Sequence, residues 1–234
     1  MTQSTTTPSP VIPDDLAERL FDNQATVVVQ PIADFRHCLY QSELELVQDV
    51  SDKRMLEFST GRDCAHQALH KMGYETCPIL KGEQREPIWP EGVVGSISHC
   101  RDLAGAVMAD KTRIRSVGFD IENLKQLNPD ISRHVCTPEE KIWIKQLPVE
   151  QQNLGLLLIF SLKEAVFKCV YQATGQSLGF KQCRVVMDDQ FDQANVTLTV
   201  TGNTALSSEV CVQHYLSNSH VYTCAYLHYL PAVG

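Results

Sequence analysis

"FSLKEAVFK", residues 160–168, is the stretch from which the rest of the chain is best read. It lies in a helical pattern running from about Leu154 to Ala173. Leu162, Ala165, Val166, Cys169, Val170 and Ala173 fall at i, i+3, i+4, i+7, i+8 and i+11, a stripe that expects burial. Lys163, Glu164, Phe167, Lys168 and Tyr171 fall off that stripe. Glu164 and Lys168 stand one turn apart and share a face. As an exposed ion pair they would contribute about 0.2–0.5 kcal/mol. As ligands, one would take a metal and the other a phosphate. The segment alone allows both readings.

"GFDIE" (118–122) bears on that choice. In a strand, Asp120 and Glu122 point to one face and Ile121 to the other. Two neighbouring carboxylates repel, and water or a cation relieves them. Joined by Glu164 they would supply three hard oxygen ligands, a set suited to Mg²⁺. "GSISH" (95–99) adds His99, which would reach a phosphate if its strand lies beside the Asp120 strand. Arg54, Arg62 and Lys81 are further phosphate candidates, Arg as a bidentate donor and Lys as a point charge. Trp89 reads as core packing.

The 234 residues and 43% hydrophobic content are enough for a substantial core. No apolar run approaches the roughly 20 residues of a membrane helix. The beginning "MTQSTTTPSPVIP" carries neither a basic stretch nor an apolar one, and its Thr, Ser and Pro predict a disordered lead-in over residues 1–13. The nine cysteines show no CxxC spacing, which predicts reduced thiols in a cytoplasmic protein. His66 and His70 lack the Glu of HExxH and read as surface histidines. A net charge of −8 argues against broad nucleic-acid binding. Residues 53–115 nevertheless hold 10 Lys or Arg against 8 Asp or Glu, a local surplus that suits an anionic ligand or an acidic partner.

Along the chain, "VVVQPI" (27–32) reads as a buried strand and "GRDCAHQALHKMG" (61–73) as a helix stopped by Gly73. "LKGEQREPIWPEG" (80–92) is a loop. "VVGSISHC" (93–100), "LAGAVMA" (103–109) and "SVGFDIE" (116–122) suggest an antiparallel meander. "TPEEKIWIKQL" (137–147) opens with a capping box, Thr137 and Glu140. "KQCRVVM", "NVTLTV" and "VYTCAYL" are the final strands. Helix followed by strands occurs twice, which fits two α+β halves, residues 14–117 and 118–234.

Taken together, "GRDCAHQAL", "LKGEQREPIWPEGVVGSISH", "VGFDIE" and "FSLKEAVFK" resemble the 4′-phosphopantetheinyl transferase superfamily. They are most similar to its larger single-chain members, the group typified by the enterobactin-synthase enzyme. The resemblance spans roughly residues 50–185. It implies an α+β fold of two similar halves related by a pseudo-twofold, with coenzyme A and Mg²⁺ (or Mn²⁺) in the cleft between them. It implies a holo-[acyl-carrier-protein] synthase activity: a serine of an apo acyl or peptidyl carrier protein takes 4′-phosphopantetheine from coenzyme A, and 3′,5′-ADP leaves. Asp120, Glu122 and Glu164 would hold the metal. Arg54, Arg62, Lys81, Ser98, His99, Lys163 and Lys168 would contact coenzyme A, with Glu164, Lys168 and His99 taking part in catalysis. Glu164 or a metal-bound water would be the base. A monomer is expected, with no nucleic acid or membrane span. "KTRIR" (111–115) is a candidate surface for steering an acidic carrier. Carriers of siderophore, polyketide or polyunsaturated fatty acid synthesis all fit. A noncatalytic module that binds coenzyme A or a carrier protein is the alternative from another class.

Overall fold

A computed structural model describes residues 11–125, 129–199 and 205–229. The helices are α1 (Leu16–Phe21), α2 (Gln41–Leu44), α3 (Asp52–Lys71), α4 (Ser132–Val135), α5 (Pro138–Gln146), α6 (Val149–Thr174) and α7 (Ala205–Glu209). The strands are β1 (Thr26–Pro31), β2 (Val93–His99), β3 (Leu103–Asp110), β4 (Ile114–Asn123), β5 (Cys183–Met187), β6 (Ala194–Leu198), β7 (Cys211–Leu216) and β8 (His220–His228). The expected lead-in over 1–13 falls mostly outside the described residues. Ile12 already packs on the core.

The same topology occurs twice. The first half runs β1, α3, β2, β3, and its sheet order is β1-β3-β2. The second runs β4, α6, β7, β8, with sheet order β4-β8-β7; β5 and β6 form a separate hairpin inserted after α6. In each half the third strand lies between the other two and pairs antiparallel with both. The repeat turns over at residues 111–113, where Asp110 accepts from Thr112 N at 2.8 Å. The expected division at 117/118 falls within β4.

The expected three-strand meander is therefore a two-strand hairpin. β3 does pair with β2, but β4 leaves for the second sheet and pairs with β8, as in Asp120↔Thr223. Its partner lies about a hundred residues downstream, so local patterning could not show it. A further strand, β7, went unseen because Gln213 and His214 interrupt its apolar pattern.

Packing follows from strand alternation. Ala106 and Met108 of β3 face Ala65, Ala68 and Leu69 of α3. Leu103 and Val107, on the opposite face, meet Val117, Phe119 and Ile121 of β4 and Tyr222 and Cys224 of β8. Val221, Ala225 and Leu227 of β8 turn toward α6. Central strands are thus apolar on both faces. Gly118 is required where α6 crosses β4: a Cβ there would collide with the Ala165 carbonyl oxygen and come 2.7 Å from Cys169 N. This close approach brings Glu164 and Lys168 to the Asp120 strand.

Candidate active site

Two edge strands, β2 and β4, run side by side and are joined by side chains. Ser96 Oγ accepts from Phe119 N at 3.0 Å, and Ser98 Oγ donates to Asp120 Oδ1 at 2.7 Å. The expected neighbourhood of His99 and the Asp120 strand is therefore present. At their ends opens a cleft of about 420 Å³, walled by α3, the 81–87 loop, β2, β4 and α6. Arg54, Arg62, Lys81, Ser98, His99, Asp120, Glu122, Glu164 and Lys168 all line it.

One wall is cationic. Ser51 caps α3 by accepting from Arg54 N at 3.3 Å, which fixes the first turn. Arg54, Phe58 and Arg62 then share one face. The Phe58 ring lies 4.6 Å from the Arg62 guanidinium carbon and 4.9 Å from Lys81 Nζ. Arg62 is buried, its Nε has no hydrogen-bond partner, and Glu43 Oε1 stands 3.8 Å away. Burial pulls Arg62 down to about 10, with Glu43 opposing and Arg54 adding to the fall, so it stays charged at neutral pH. Burial also lowers Lys81, and Arg54, Arg62 and Arg85 push it further. Such mutual repulsion is relieved by an anion.

At the rim, Arg54 Nη1 lies 2.7 Å from His99 Nε2 and 3.3 Å from Glu57 Oε2. Burial lowers His99; Glu57 opposes this, and Arg54 and Lys168 push the same way as burial. A neutral His99 accepts from Arg54 through Nε2.

The opposite wall is acidic. Asp120 is almost fully buried, and both its oxygens are engaged. Lys168 Nζ donates to Oδ1 at 2.9 Å, and Ser161 Oγ donates to Oδ2 at 2.8 Å. Lys168 also donates to Ser98 Oγ at 3.1 Å and to the Phe119 carbonyl at 2.8 Å. Glu122 and Glu164 are half-buried, and neither carboxylate makes a hydrogen bond or ion pair among the described residues. Burial and then Asp120 push Glu122 up to about 8, with Lys168 opposing. Burial raises Glu164 as well, against Lys168. Two carboxylates without partners beside a third suit a hard cation.

Lys163 is the correction. It was expected among the coenzyme A contacts, but it is fully buried on another face of α6. Its ammonium donates to Glu140 Oε2 at 2.7 Å, to the Val135 carbonyl at 2.8 Å and to the Phe180 carbonyl at 3.0 Å. Glu140 also accepts from Thr137 N and Val185 N, both at 2.7 Å. Helix α6 is covered on two sides, so the buried surface is wider than one stripe.

His66 is a second correction. It is buried, with Nε2 3.0 Å from Glu43 Oε1, while His70 is exposed. Trp89 packs against Gly95 and also lines an adjoining trough of about 700 Å³ with Ile97, Phe167, Tyr171 and Leu178. "KTRIR" follows the end of β3 distant from His99. The seven residues of β2 separate it from the cleft by roughly 20 Å. Glu57, Ser161 and Arg85 escaped the sequence reading. Arg85 carries a left-handed φ of +67° in its turn and lines the cleft. Glu57 was legible as the residue one helical turn beyond Arg54. Ser161 gave no local signal.

A model of the 4′-phosphopantetheinyl transferase N-terminal domain matches residues 42–109, and one of the 4′-phosphopantetheinyl transferase superfamily matches residues 116–225. The chain is 34% identical over 165 residues to 4′-phosphopantetheinyl transferase Svp of Streptomyces mobaraensis, covering 70% of this chain and 67% of that one. It is 34% identical over 174 residues to 4′-phosphopantetheinyl transferase Npt of Nocardia iowensis, covering 74% and 75%. It is 36% identical over 124 residues to enterobactin synthase component D of Escherichia coli strain K12, covering 52% and 57%.

Proposed function

The chain belongs to the 4′-phosphopantetheinyl transferase superfamily, and we propose that its cleft binds coenzyme A with Mg²⁺ and transfers 4′-phosphopantetheine to a serine of an apo carrier protein. The acceptor is a carrier domain of siderophore or other secondary metabolite synthesis, and 3′,5′-ADP is released. The observation that carries this reading is the division of the cleft into a cationic wall and an acidic wall, with Lys168 reaching between them.

The cationic wall binds phosphate. Arg54, Arg62 and Lys81 hold the 3′-phosphate and diphosphate end, joined by Arg85, and His99 donates or accepts at the rim. The apolar trough beside Phe167 and Leu178 takes the pantetheine arm. Asp120, Glu122 and Glu164 would hold Mg²⁺, and a cation there would supply charge neutralisation at the diphosphate. Lys168 stabilises the same developing charge from the protein side. Glu164, one turn from Lys168, is placed to receive the serine proton. Ser161 and Ser98 orient Asp120.

Each half contributes residues to the cleft, so one chain builds it and acts as a monomer. All nine cysteines are free thiols, which supports a cytoplasmic setting. No helix among the described residues is long and apolar enough to cross a membrane. The deciding experiment is intact-mass spectrometry of an apo peptidyl carrier protein incubated with this protein, coenzyme A and Mg²⁺. One added phosphopantetheine is expected, and EDTA or Asp120→Ala should abolish it. Coenzyme A binding without transfer to any carrier would leave a binding module instead.

A further inference from the structure

Behind the cleft lies a cluster that the transfer reaction does not use. Cys100 follows β2, Asp102 sits in the turn before β3, and His220 opens β8. One ligand atom from each lies within 4.8 Å of the other two. They converge on a single oxygen: Asp102 Oδ1 is 3.1 Å from His220 Nε2, 3.3 Å from Cys100 Sγ and 3.2 Å from Asn123 Nδ2. His220 is fully buried, and its Nδ1 lies 2.8 Å from Ser219 Oγ.

Tyr222 supplies an independent observation. It is two residues beyond His220 on β8, so both side chains share a face. The side chain is fully buried, yet its hydroxyl has no hydrogen-bond partner. Burial raises that hydroxyl's pKa, and Cys100 and Asp102 are the neighbouring groups that add most to the rise. A buried tyrosine hydroxyl normally finds a partner. Its ring centroid lies 6.2 Å from that of His220, and Cys100 and Asp102 act on its hydroxyl.

Those donors select a metal class. Mg²⁺ avoids sulfur, whereas Zn²⁺ takes Cys, His and Asp together. A tetrahedral ion with bonds of about 2.0–2.3 Å sets its ligands roughly 3.3–3.8 Å apart; the two Asp102 separations are 3.1 and 3.3 Å, and Cys100 and His220 lie within 4.8 Å of each other. We propose that Cys100, Asp102 and His220 form a site for Zn²⁺ or a similar thiophilic cation, separate from the cleft carboxylates, with the Tyr222 hydroxyl bonded to a water in the fourth position. On binding, the Cys100 thiol releases its proton to solvent. In the empty site His220 Nε2 faces Asp102 Oδ1 and so carries the ring proton; binding gives up that proton to solvent while Nδ1, facing Ser219 Oγ, takes one up, so the ring stays neutral and presents Nε2 to the ion. No oxidation state changes. Cys100 and Asp102 belong to the first half and His220 to the second, so the ion bridges the halves one residue from His99.

The test uses the full chain, stripped with EDTA and then freed of it, titrated with Co²⁺ and separately with Zn²⁺. One equivalent of Co²⁺ should bind with a thiolate-to-metal charge-transfer band, undisturbed by excess Mg²⁺. Cys100→Ser should abolish the band and weaken Zn²⁺ at least tenfold. Asp102→Asn should weaken Zn²⁺ by a similar factor, and serves if Cys100→Ser misfolds. Cys77→Ser, a thiol outside the cluster, should change neither. Absence of the band, its survival in Cys100→Ser, or its loss in Cys77→Ser would overturn the proposal and leave a hydrogen-bonded staple centred on Asp102.

Discussion

Lys168 Nζ lies 2.9 Å from Asp120 Oδ1, and the same oxygen accepts from Ser98 Oγ at 2.7 Å. This contact joins α6, β4 and β2, elements from both halves, at one carboxylate. Lys163, five residues earlier on α6, makes a pair with Glu140 at 2.7 Å, but on a face turned from the cleft. Two lysines of one short motif therefore have separate roles.

Those roles separate by measurement. Lys168→Ala should lower kcat about 100-fold, the scale for removing a preorganised charge from a transition state. Its melting temperature should fall less than that of Lys163→Met, because Lys168 is partly exposed and Asp120 keeps hydrogen bonds from Ser98 and Ser161. Lys163→Met strands the buried Glu140 charge and should cost about 3–5 kcal/mol. In the fraction that folds, KM for coenzyme A should stay within about twofold of the wild-type value. A large rise in KM with normal stability would return Lys163 to the cleft.

Ser161 donates to Asp120 Oδ2 and accepts from nothing in the cleft, so it acts through the carboxylate. Ser161→Ala should weaken apparent Mg²⁺ affinity about tenfold, as loss of an outer-shell partner does. Saturating Mg²⁺ should restore most of the rate, and Ser161→Thr should retain part of the affinity. Titrating activity against Mg²⁺ reads both, and an unchanged midpoint would dismiss the role.

Glu43 underpins the cationic wall. Burial pushes its carboxyl up, but hydrogen bonds from His66, Ile79 N and Tyr40 N outweigh that and leave it below the usual Glu value. A depressed folded-state pKa contributes stability above the unfolded pKa, and that stability is lost as pH falls through the folded value. Glu43→Gln should cost about 1–3 kcal/mol at pH 7. Its deficit against wild type should shrink steadily as pH is lowered below the ordinary Glu range. Melts at several pH values test this; a constant deficit would mean that Glu43 ionisation contributes nothing.

Gly118 is the point where α6 touches β4. Gly118→Ala must part the helix from the strand, since the obstacles are backbone atoms. Overpacking of this kind costs about 1–3 kcal/mol or more. Activity should fall with it, because Asp120 and Lys168 would separate. Normal melting and normal turnover together would show that the crossing is looser than the structure has it.

Much is legible in the sequence alone. The α6 stripe, the Thr137 capping box and the Asp120–Glu122 alternation follow from the fixed periods of helix and strand, which act within a few residues. The charged cleft residues were legible through the order of their motifs. Other features were decided only by tertiary structure. β4 pairs with β8 instead of β3 because a strand satisfies its backbone with whatever edge the fold presents, at any sequence distance. Lys163 is buried because α4, α5 and the Phe180 turn cover a second face of α6, and a charge there needs the distant Glu140. Ser161 and Glu43 matter only because folding removes water from Asp120 and Arg62, and no local pattern records which polar groups will replace it.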